Sequence, residues 1–474
     1  MSRFNTKSAG TKTVNLAGGE AYRQSSELEL VSILLTSFMN DQFYESSNDT
    51  TGRLVDLIEK CDKKFAAQAA VYARTRFGMR SVSHVVASEL ARYIGGKPWA
   101  KDFYTAIVYR PDDMMEILSY HDKNGKIPNS MKKGFAKAFD KFDRYQLAKY
   151  RGEGKGYKLV DVVNLVHPVP TERNGEAISE LVNGSLKSFD TWESELTRAG
   201  QEAESEKQKA SLKKEVWRKL ISERKIGYFA LLRNLRNIIE QAPDMVPQAI
   251  EILTDESLIK KSLVLPFRFT TAFDEIKKMN GGPVVRDVMV ALSKAVDLSL
   301  SNVPRFDGRT LVVLDTSGSM TGKPSTIGSL FAAILVKSNN ADLMTFDSDS
   351  RYVNVNPVDS TVTIANELRF NGGGTNFKSI FKKANRAYDR VIILSDMQGW
   401  IGWYSPSSEF GEYKKKMKVN PRVYSFDLAG YGTLQLPEHN VSCLAGFSDK
   451  IFDIMKLLEQ DKAALVNEIK KVSF

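Results

Sequence analysis

LVVLDTSGSM, residues 311–320, runs from an apolar segment into a short polar loop. Four apolar residues, Leu311 to Leu314, run straight into Asp315, and Ser317, Gly318 and Ser319 follow. A short apolar run bounded by turn formers reads as a parallel strand buried on both faces. Gly318 and the small hydroxyls suit a tight loop, and helical sequence follows from about Ser325 to Lys337. Strand, polar loop and helix make the first crossover of a doubly wound α/β sheet, in which ligands bind beyond the carboxyl ends of the strands.

The loop carries a chemistry. Asp315, Ser317 and Ser319 alternate, so one carboxylate and two hydroxyls can face the same way. Hard oxygen donors on a short loop suit Mg²⁺, which takes octahedral oxygen coordination and keeps several waters. Downstream, Asn371-Gly-Gly-Gly-Thr375 puts a hydroxyl on a glycine-rich loop, and Val391-Ile-Ile-Leu-Ser-Asp396 is a second apolar strand ending in a carboxylate. In this order, each at a strand end, the three pieces resemble the metal-ion-dependent adhesion site of von Willebrand factor A domains. The resemblance implies that Ser317, Ser319 and Thr375 ligate Mg²⁺ or another divalent cation, with Asp315 and Asp396 close by, often through water. The bland alternative is that these are turn-forming residues at strand ends.

Outward from this stretch, the chain of 474 residues has room for two or three domains. No run reaches the roughly 18 apolar residues of a membrane span, and MSRFNTKSAG at the N-terminus lacks the apolar centre of a signal peptide. Cys61 and Cys443 lie far apart, outside any metal-ligand spacing, which fits a reducing, cytoplasmic setting. The four histidines form no HExxH pair, and no GxSxG elbow or GxxxxGK[ST] loop is present. Net charge is +10 and unevenly spread: Lys60 to Lys158 holds 21 Lys plus Arg against 10 Asp plus Glu, and the remainder is about neutral. Such a block points to a polyanion partner or to solvated helix faces.

Residues 1 to about 25 read as polar and irregular, with Gly18-Gly19 as a turn. From Ser26 onward, apolar residues recur at helical spacing in segments of roughly 10–16 residues joined by short turns, the pattern of stacked helix pairs in an α-solenoid. No strict period is visible, so the repeats read as HEAT-like. Helices are expected over Lys63–Phe77, Ser83–Ile94, Asp112–Tyr120, Asn129–Phe142, Tyr145–Tyr150, Glu172–Phe189, Trp192–Ala199, Ile226–Ile239 and Val284–Leu300. Gln201 to Lys214 is charged, either an exposed helix or a mobile connection. A boundary at Arg305–Arg309 separates residues 1–305 from 306–474. Strands are then expected at 310–315, 341–346, 390–395 and 422–427, alternating with helices and ending in one from about Asp449 to Leu458, which gives a mainly parallel sheet.

KEVWRKL at Lys214–Leu220, ALLRNLRNI at Ala230–Ile238, LVDVVNLVHPVP at Leu159–Pro170 and KKSLVLPFRF at Lys260–Phe269 resemble the TROVE module of the Ro autoantigen family. The resemblance runs from about Ser25 to Ser473. It implies a ring of HEAT-like helical repeats whose two ends are joined by a von Willebrand factor A domain. Small noncoding RNA of the Y RNA type would lie on a basic outer rim, and single-stranded 3′ ends of misfolded RNA would thread the hole. Such a protein is a monomeric ribonucleoprotein scaffold in RNA quality control, without catalysis or membrane contact, that can hold RNA for an exoribonuclease. His167 matches the family's RNA-contacting histidine, with Lys149, Arg151, Lys155 and Lys158 beside it, while Val169 stands where many members carry lysine.

Elementary chemistry runs the same way. Lysine and arginine neutralise phosphates and release counterions, A-form duplex is read by backbone and shape, and single strands stack on aromatics and arginine planes. Tyr72, Arg74, Arg76 and Arg80 are stacking candidates or ordinary helix surface. His167 contacts RNA or caps its helix. Arg233 and Arg236 line the hole or pair between repeats. A second function class is a metal-dependent interaction module, in which a partner's acidic side chain completes the ion's shell. A Mg²⁺-dependent nuclease is disfavoured, because two-metal sites need clustered carboxylates and this loop offers mostly hydroxyls.

Overall fold

A computed structural model describes residues 11–23, 25–36, 47–122, 125–152, 156–187, 192–201, 205–401, 406–429, 431, 433–436, 441–445, 452, 455 and 464–474. The chain opens with a hairpin, β1 (Thr11–Val14) and β2 (Glu20–Arg23). Seventeen helices follow among the described residues: α1 (Ser26–Thr36), α2 (Ser47–Lys60), α3 (Lys63–Arg76), α4 (Ser81–Leu90), α5 (Ala100–Ile107), α6 (Pro111–His121), α7 (Asn129–Ala138), α8 (Arg144–Lys149), α9 (Leu159–Val166), α10 (Gly175–Val182), α11 (Trp192–Gln201), α12 (Glu206–Ser222), α13 (Tyr228–Gln241), α14 (Val246–Leu253), α15 (Glu256–Ser262), α16 (Thr270–Lys277) and α17 (Pro283–Ser299). The α/β part holds β3 (Thr310–Asp315), α18 (Lys323–Asn339), β4 (Asp342–Phe346), β5 (Ser350–Val353), α19 (Thr361–Glu367), α20 (Phe377–Lys383), β6 (Arg390–Ser395), α21 (Ser407–Met417), β7 (Arg422–Asp427), β8 (Thr433–Leu434), β9 (Val441–Ala445) and α22 (Ala464–Lys470).

Local chemistry sets the helix ends. Asp62 caps α3 by accepting from Phe65 N at 2.8 Å. Asp143 and Gln146 exchange hydrogen bonds of 2.9 and 3.2 Å in a capping box that starts α8. Pro111 and Pro283 occupy first-turn positions, where the missing N–H costs nothing. The helical part buries two cores. One unites α1 to α10 and continues onto a face of the sheet; the other, around Trp217, Leu231, Leu235 and Leu292, belongs to α12 to α17.

The six-stranded sheet has the order β5-β4-β3-β6-β7-β9, parallel except for the β4–β5 pair. β3 lies at its centre, paired with β4 and β6. Val312 and Leu314 point into the first core, Leu311 and Val313 into a third core on the opposite face. Strands 310–315, 390–395 and 422–427 fall where the sequence places them.

The α/β part contacts both ends of the helical part. Asp297 on α17 accepts from Thr361 N at 2.9 Å and from Lys337 Nζ at 3.2 Å. At the other end, Gln68 Nε2 on α3 donates to the carbonyls of Lys470 and Val472 at 2.8 and 2.9 Å. The Phe474 ring lies 5.8 Å from Trp99 and 5.7 Å from Phe103.

Several elements differ from the sequence expectation. Residues 11–23 form a hairpin instead of irregular chain. Helices α2, α5, α14 and α15 and strands β5 and β9 are additional to the elements expected from the sequence. Glu206 to Ser222 is one continuous helix, which settles the charged stretch as exposed helix from Glu206 onward. Phe139–Lys141 and Pro266–Phe269 tighten to 3-10 turns. The helix expected near 449–458 lies almost wholly outside the described residues, as does Lys155. No helix among the described residues is long and apolar enough to cross a membrane.

One ionic cluster locks α3, α4 and α6 together. Arg74, buried, grips both oxygens of Asp113 at 2.9 to 3.3 Å. His84, also buried, lies 3.0 Å from Asp113 through Nε2 and 3.0 Å from Glu116 through Nδ1. Burial disfavours charge on both Asp113 and His84, but the partners win. The His84 hydrogen bond and the Arg74 charge hold Asp113 well below the ordinary carboxylate range, and the two carboxylates raise His84. Asp113→Ala strands two buried cations, so urea melts should show a loss of about 3–5 kcal/mol. His84 contributes fully below about pH 6.5 and less as pH rises through its folded value; Asp113 contributes fully above about pH 4 and less as pH falls through its own. The difference between wild type and variant is therefore expected to be largest between about pH 4 and 6.5.

Candidate nucleic-acid interface and metal centre

Gly134 shapes the basic face. A Cβ there would sit 2.4 Å from Tyr104 Cβ and 2.6 Å from the Lys101 carbonyl, so α7 lies on α5 backbone to backbone. That contact brings Lys101 beside Lys132, Lys133 and Lys137. With the turn after α9 these lysines line a groove of about 790 Å³, whose floor includes Ala136, Leu165 and Val166. Asp140 is the only carboxylate on its wall among the described residues and is held by Lys137 at 2.6 Å. Lys101, Lys132 and Lys133 have no carboxylate partner among the described residues.

His167 stands at the mouth of this groove. It closes α9 in the left-handed conformation, φ 48°, its N–H donating to the Val163 carbonyl at 2.9 Å, and its ring is exposed. Capping is thus done by the backbone, and the imidazole faces outward. Lys158 is at the opposite end of α9, roughly 13 Å along the axis. It is exposed, with its backbone N–H bound to Asp161 at 2.8 Å. Lys149 is exposed over the Tyr145 ring, its Nζ 3.2 Å from the hydroxyl. Arg151 donates to the Leu186 carbonyl at 2.8 Å. Lys149, Tyr150 and Arg151 line a separate cavity of about 330 Å³ with Asp112 and Met115.

Arg74 must be corrected. Paired with Asp113 and 4% exposed, it has no surface to offer a base. Arg80 is engaged by Asp112 and Glu116 at 2.7 and 2.8 Å, and Tyr72 packs on Phe77 at 5.7 Å. Of that group Arg76 alone is fully exposed. Arg233 and Arg236 line a cavity of about 330 Å³ between α13 and α16, together with Arg268, Glu240 and Glu275. Arg236 pairs with Glu240 and Glu275 at 3.0 and 3.3 Å, whereas Arg233 is exposed without a carboxylate partner among the described residues. Lys101, Lys132, Lys133 and Lys137 were not singled out from the sequence, although MKKGFAKA at Met131–Ala138 already pairs an apolar stripe with three lysines.

At the carboxyl ends of β3 and β6 the three loops of the expected metal site meet. Gly318 N donates to the Gly373 carbonyl at 3.1 Å and Gly372 N to that of Thr316 at 3.3 Å, crossing the first two loops. The Ser395 hydroxyl donates to Asp315 Oδ2, joining the third. Ser317 N donates to Asp315 Oδ1 at 2.9 Å, and the Ser317 and Ser319 hydroxyl oxygens lie 3.4 Å apart. All five residues, Asp315, Ser317, Ser319, Thr375 and Asp396, are buried. Desolvation pushes Asp315 up to about 6; desolvation and the nearby Asp315 charge push Asp396 up to about 7. Asp396 Oδ2 is buried without a hydrogen bond among the described residues. Two carboxylates that resist ionising together and three hydroxyl oxygens are a fitting donor set for a hard dication, which would satisfy both penalties at once.

The sequence model of the TROVE domain matches residues 30–211 and 185–291, more than half of the chain, and the chain belongs to this family, that of the Ro proteins. It is 24% identical over 468 residues to RNA-binding protein RO60 of Deinococcus radiodurans, covering 86% of this chain and 87% of that one. Telomerase protein component 1 of Mus musculus is 22% identical over 350 residues, 54% of this chain but 13% of that much longer protein. The crystal structure of the Deinococcus radiodurans RO (RSR) protein superposes with a TM-score of 0.63 at 20% identity, over 90% of this chain and 99% of that one, a likeness of fold.

Without an ion, the Asp315–Asp396 pair is a liability that grows as pH rises, since both folded values stand above the unfolded one. In chelator at pH 8, Asp396→Asn is expected to be more stable than wild type by on the order of 2–4 kcal/mol in thermal or urea melts. The gain should shrink as pH falls through about 7, the folded value of Asp396, towards the ordinary carboxylate range.

Proposed function

We propose that this chain binds RNA, with the lysine groove around His167 as its principal phosphate-binding surface. The observation that carries this reading is the groove itself: Lys101, Lys132 and Lys133, on two helices and without carboxylate partners among the described residues, line it with an exposed histidine. A nucleic-acid partner supplies the negative charge that the fold does not. The name of the Deinococcus relative, an RNA-binding protein, supports the class of ligand. In the finer reading, the helical repeats close into a ring with the α/β part, a von Willebrand factor A domain, at the junction. Structured small noncoding RNA of the Y RNA type lies on the rim formed by the groove, Lys149, Arg151 and Lys158. A single-stranded 3′ end passes Arg233 and Arg236. Such a protein holds misfolded RNA for an exoribonuclease, and we assign it no catalytic step of its own.

A second reading concerns the α/β part. The buried, unsatisfied Asp396 oxygen and the two raised carboxylates favour Mg²⁺ or a related dication held by Ser317, Ser319 and Thr375 with Asp315 and Asp396. Bound there, the ion would supply a positive centre for an acidic side chain of a protein partner.

Replacing Lys101, Lys132 and Lys133 together by Ala should weaken RNA binding. It should also flatten the log–log salt slope by about 2–3, at roughly 0.7–0.9 per phosphate contact. His167→Gly keeps the left-handed cap, because glycine adopts that conformation freely. It should leave the melting temperature near wild type while reducing RNA affinity. Fluorescence anisotropy across a salt series checks both, and unchanged affinity in both variants would refute the groove assignment.

A further inference from the structure

The N-terminal hairpin, which precedes the helical repeats, ends up on the metal centre at the far end of the chain. Asn15 is its pivot. The buried Asn15 side chain accepts from the N–H groups of Ala17 and Gly19 at 3.1 and 2.9 Å, fixing the turn, and donates through Nδ2 to the Gly399 carbonyl at 2.6 Å. Leu16 N donates to Gln398 Oε1 at 2.8 Å. Gly19 lies so close that a Cβ would sit 2.0 Å from the Gly399 carbonyl oxygen and 2.7 Å from Trp400 Cα. β2 then pairs with β8, which belongs to the α/β part, in a three-stranded sheet.

The segment so clasped, Gln398 to Ile401, holds two of the five ion-site residues. Gln398 N donates to Asp396 Oδ1 at 3.1 Å, and Gln398 Nε2 donates to the Asp396 carbonyl at 3.2 Å and to Thr433 Oγ1 at 3.1 Å. Trp400 N and Ile401 N both donate to the Thr375 carbonyl at 3.1 and 3.2 Å. The hairpin thus bears on Gln398 and Gly399, and through them on Asp396 and Thr375. Groups that orient metal ligands from one layer out commonly change ion affinity 10–100-fold when removed.

We propose that the 11–23 hairpin is an outer layer of the metal centre, with Asn15, Leu16 and Gly19 as positioning residues. Divalent-ion binding and hairpin docking are therefore linked. This rests on the ion-binding reading above and is independent of RNA. Because β2 runs within a few residues into α1, the ion site holds the start of the helical repeats against the α/β part.

The test uses the full chain without RNA. Mn²⁺ affinity is measured by electron paramagnetic resonance and Mg²⁺ affinity by calorimetry for wild type, Asn15→Ala and Gly19→Val. Hydrogen exchange of residues 11–23 in wild type is followed with and without Mg²⁺. The expected result is at least a 10-fold loss of affinity in both variants, and slower exchange of the hairpin when Mg²⁺ is added, absent in Asp315→Ala. The exchange arm needs no substitution in the hairpin, so it decides the question even if a variant fails to fold. Ion binding by wild type with unaltered affinity in both variants and ion-independent hairpin exchange would overturn the linkage and leave the metal site standing. No ion binding by wild type would overturn both.

Discussion

Asp113 is the residue on which the helical part depends. Its carboxylate accepts from the Arg74 guanidinium and meets His84. Through Oδ2 it also takes the backbone N–H groups of Tyr109 and Arg110 at 2.9 and 2.8 Å, starting α6. One buried anion thus fixes three helices. Next to it, Asp112 engages Arg80 and Arg110, and Glu116 engages Arg80 again. Asp112, Asp113 and Glu116 are thus consumed by arginines. Most of the excess charge left over sits on lysines, and those of α5 and α7 face solvent. In this region Arg74, Arg80 and Arg110 hold helices together, while the lysines of α5 and α7 face solvent. This division lets a strongly basic stretch form a stable helical stack and still present unneutralised charge, as the proposed RNA face requires.

The α/β part follows a different constraint. β3 and β6 are buried on both faces, so their carboxyl ends deliver Asp315 and Asp396 to one point with little solvent. Burial makes the pair reluctant to ionise, and the adjoining hydroxyls cannot neutralise it. Only a cation balances such a site without protonating it. The hairpin and β8 brace the loop that carries Asp396, so the site depends on residues from both ends of the chain.

Much of this was legible in the sequence. The apolar runs at 311–314 and 391–394 mark fully buried strands, and the order of Asp315, Thr375 and Asp396 anticipated the meeting of their loops. What failed had no local signal. Arg74 reads as an exposed helical arginine because its partner lies 39 positions away. The 11–23 hairpin looks irregular because its hydrogen-bond partners are some 380 residues distant. The lysine groove escaped notice because its parts come from α5, α7 and the turn after α9, and only the close approach at Gly134 joins them.

We propose that RNA lies in the groove between α5, α7 and His167. Ultraviolet crosslinking of the full chain to RNA copurified from its native host, followed by peptide mass spectrometry, tests it most directly. Crosslinks concentrated in peptides containing Lys101, Lys132–Lys137 and His167 are the predicted result. Crosslinks confined to the α/β part, or spread evenly over lysines regardless of position, would contradict it.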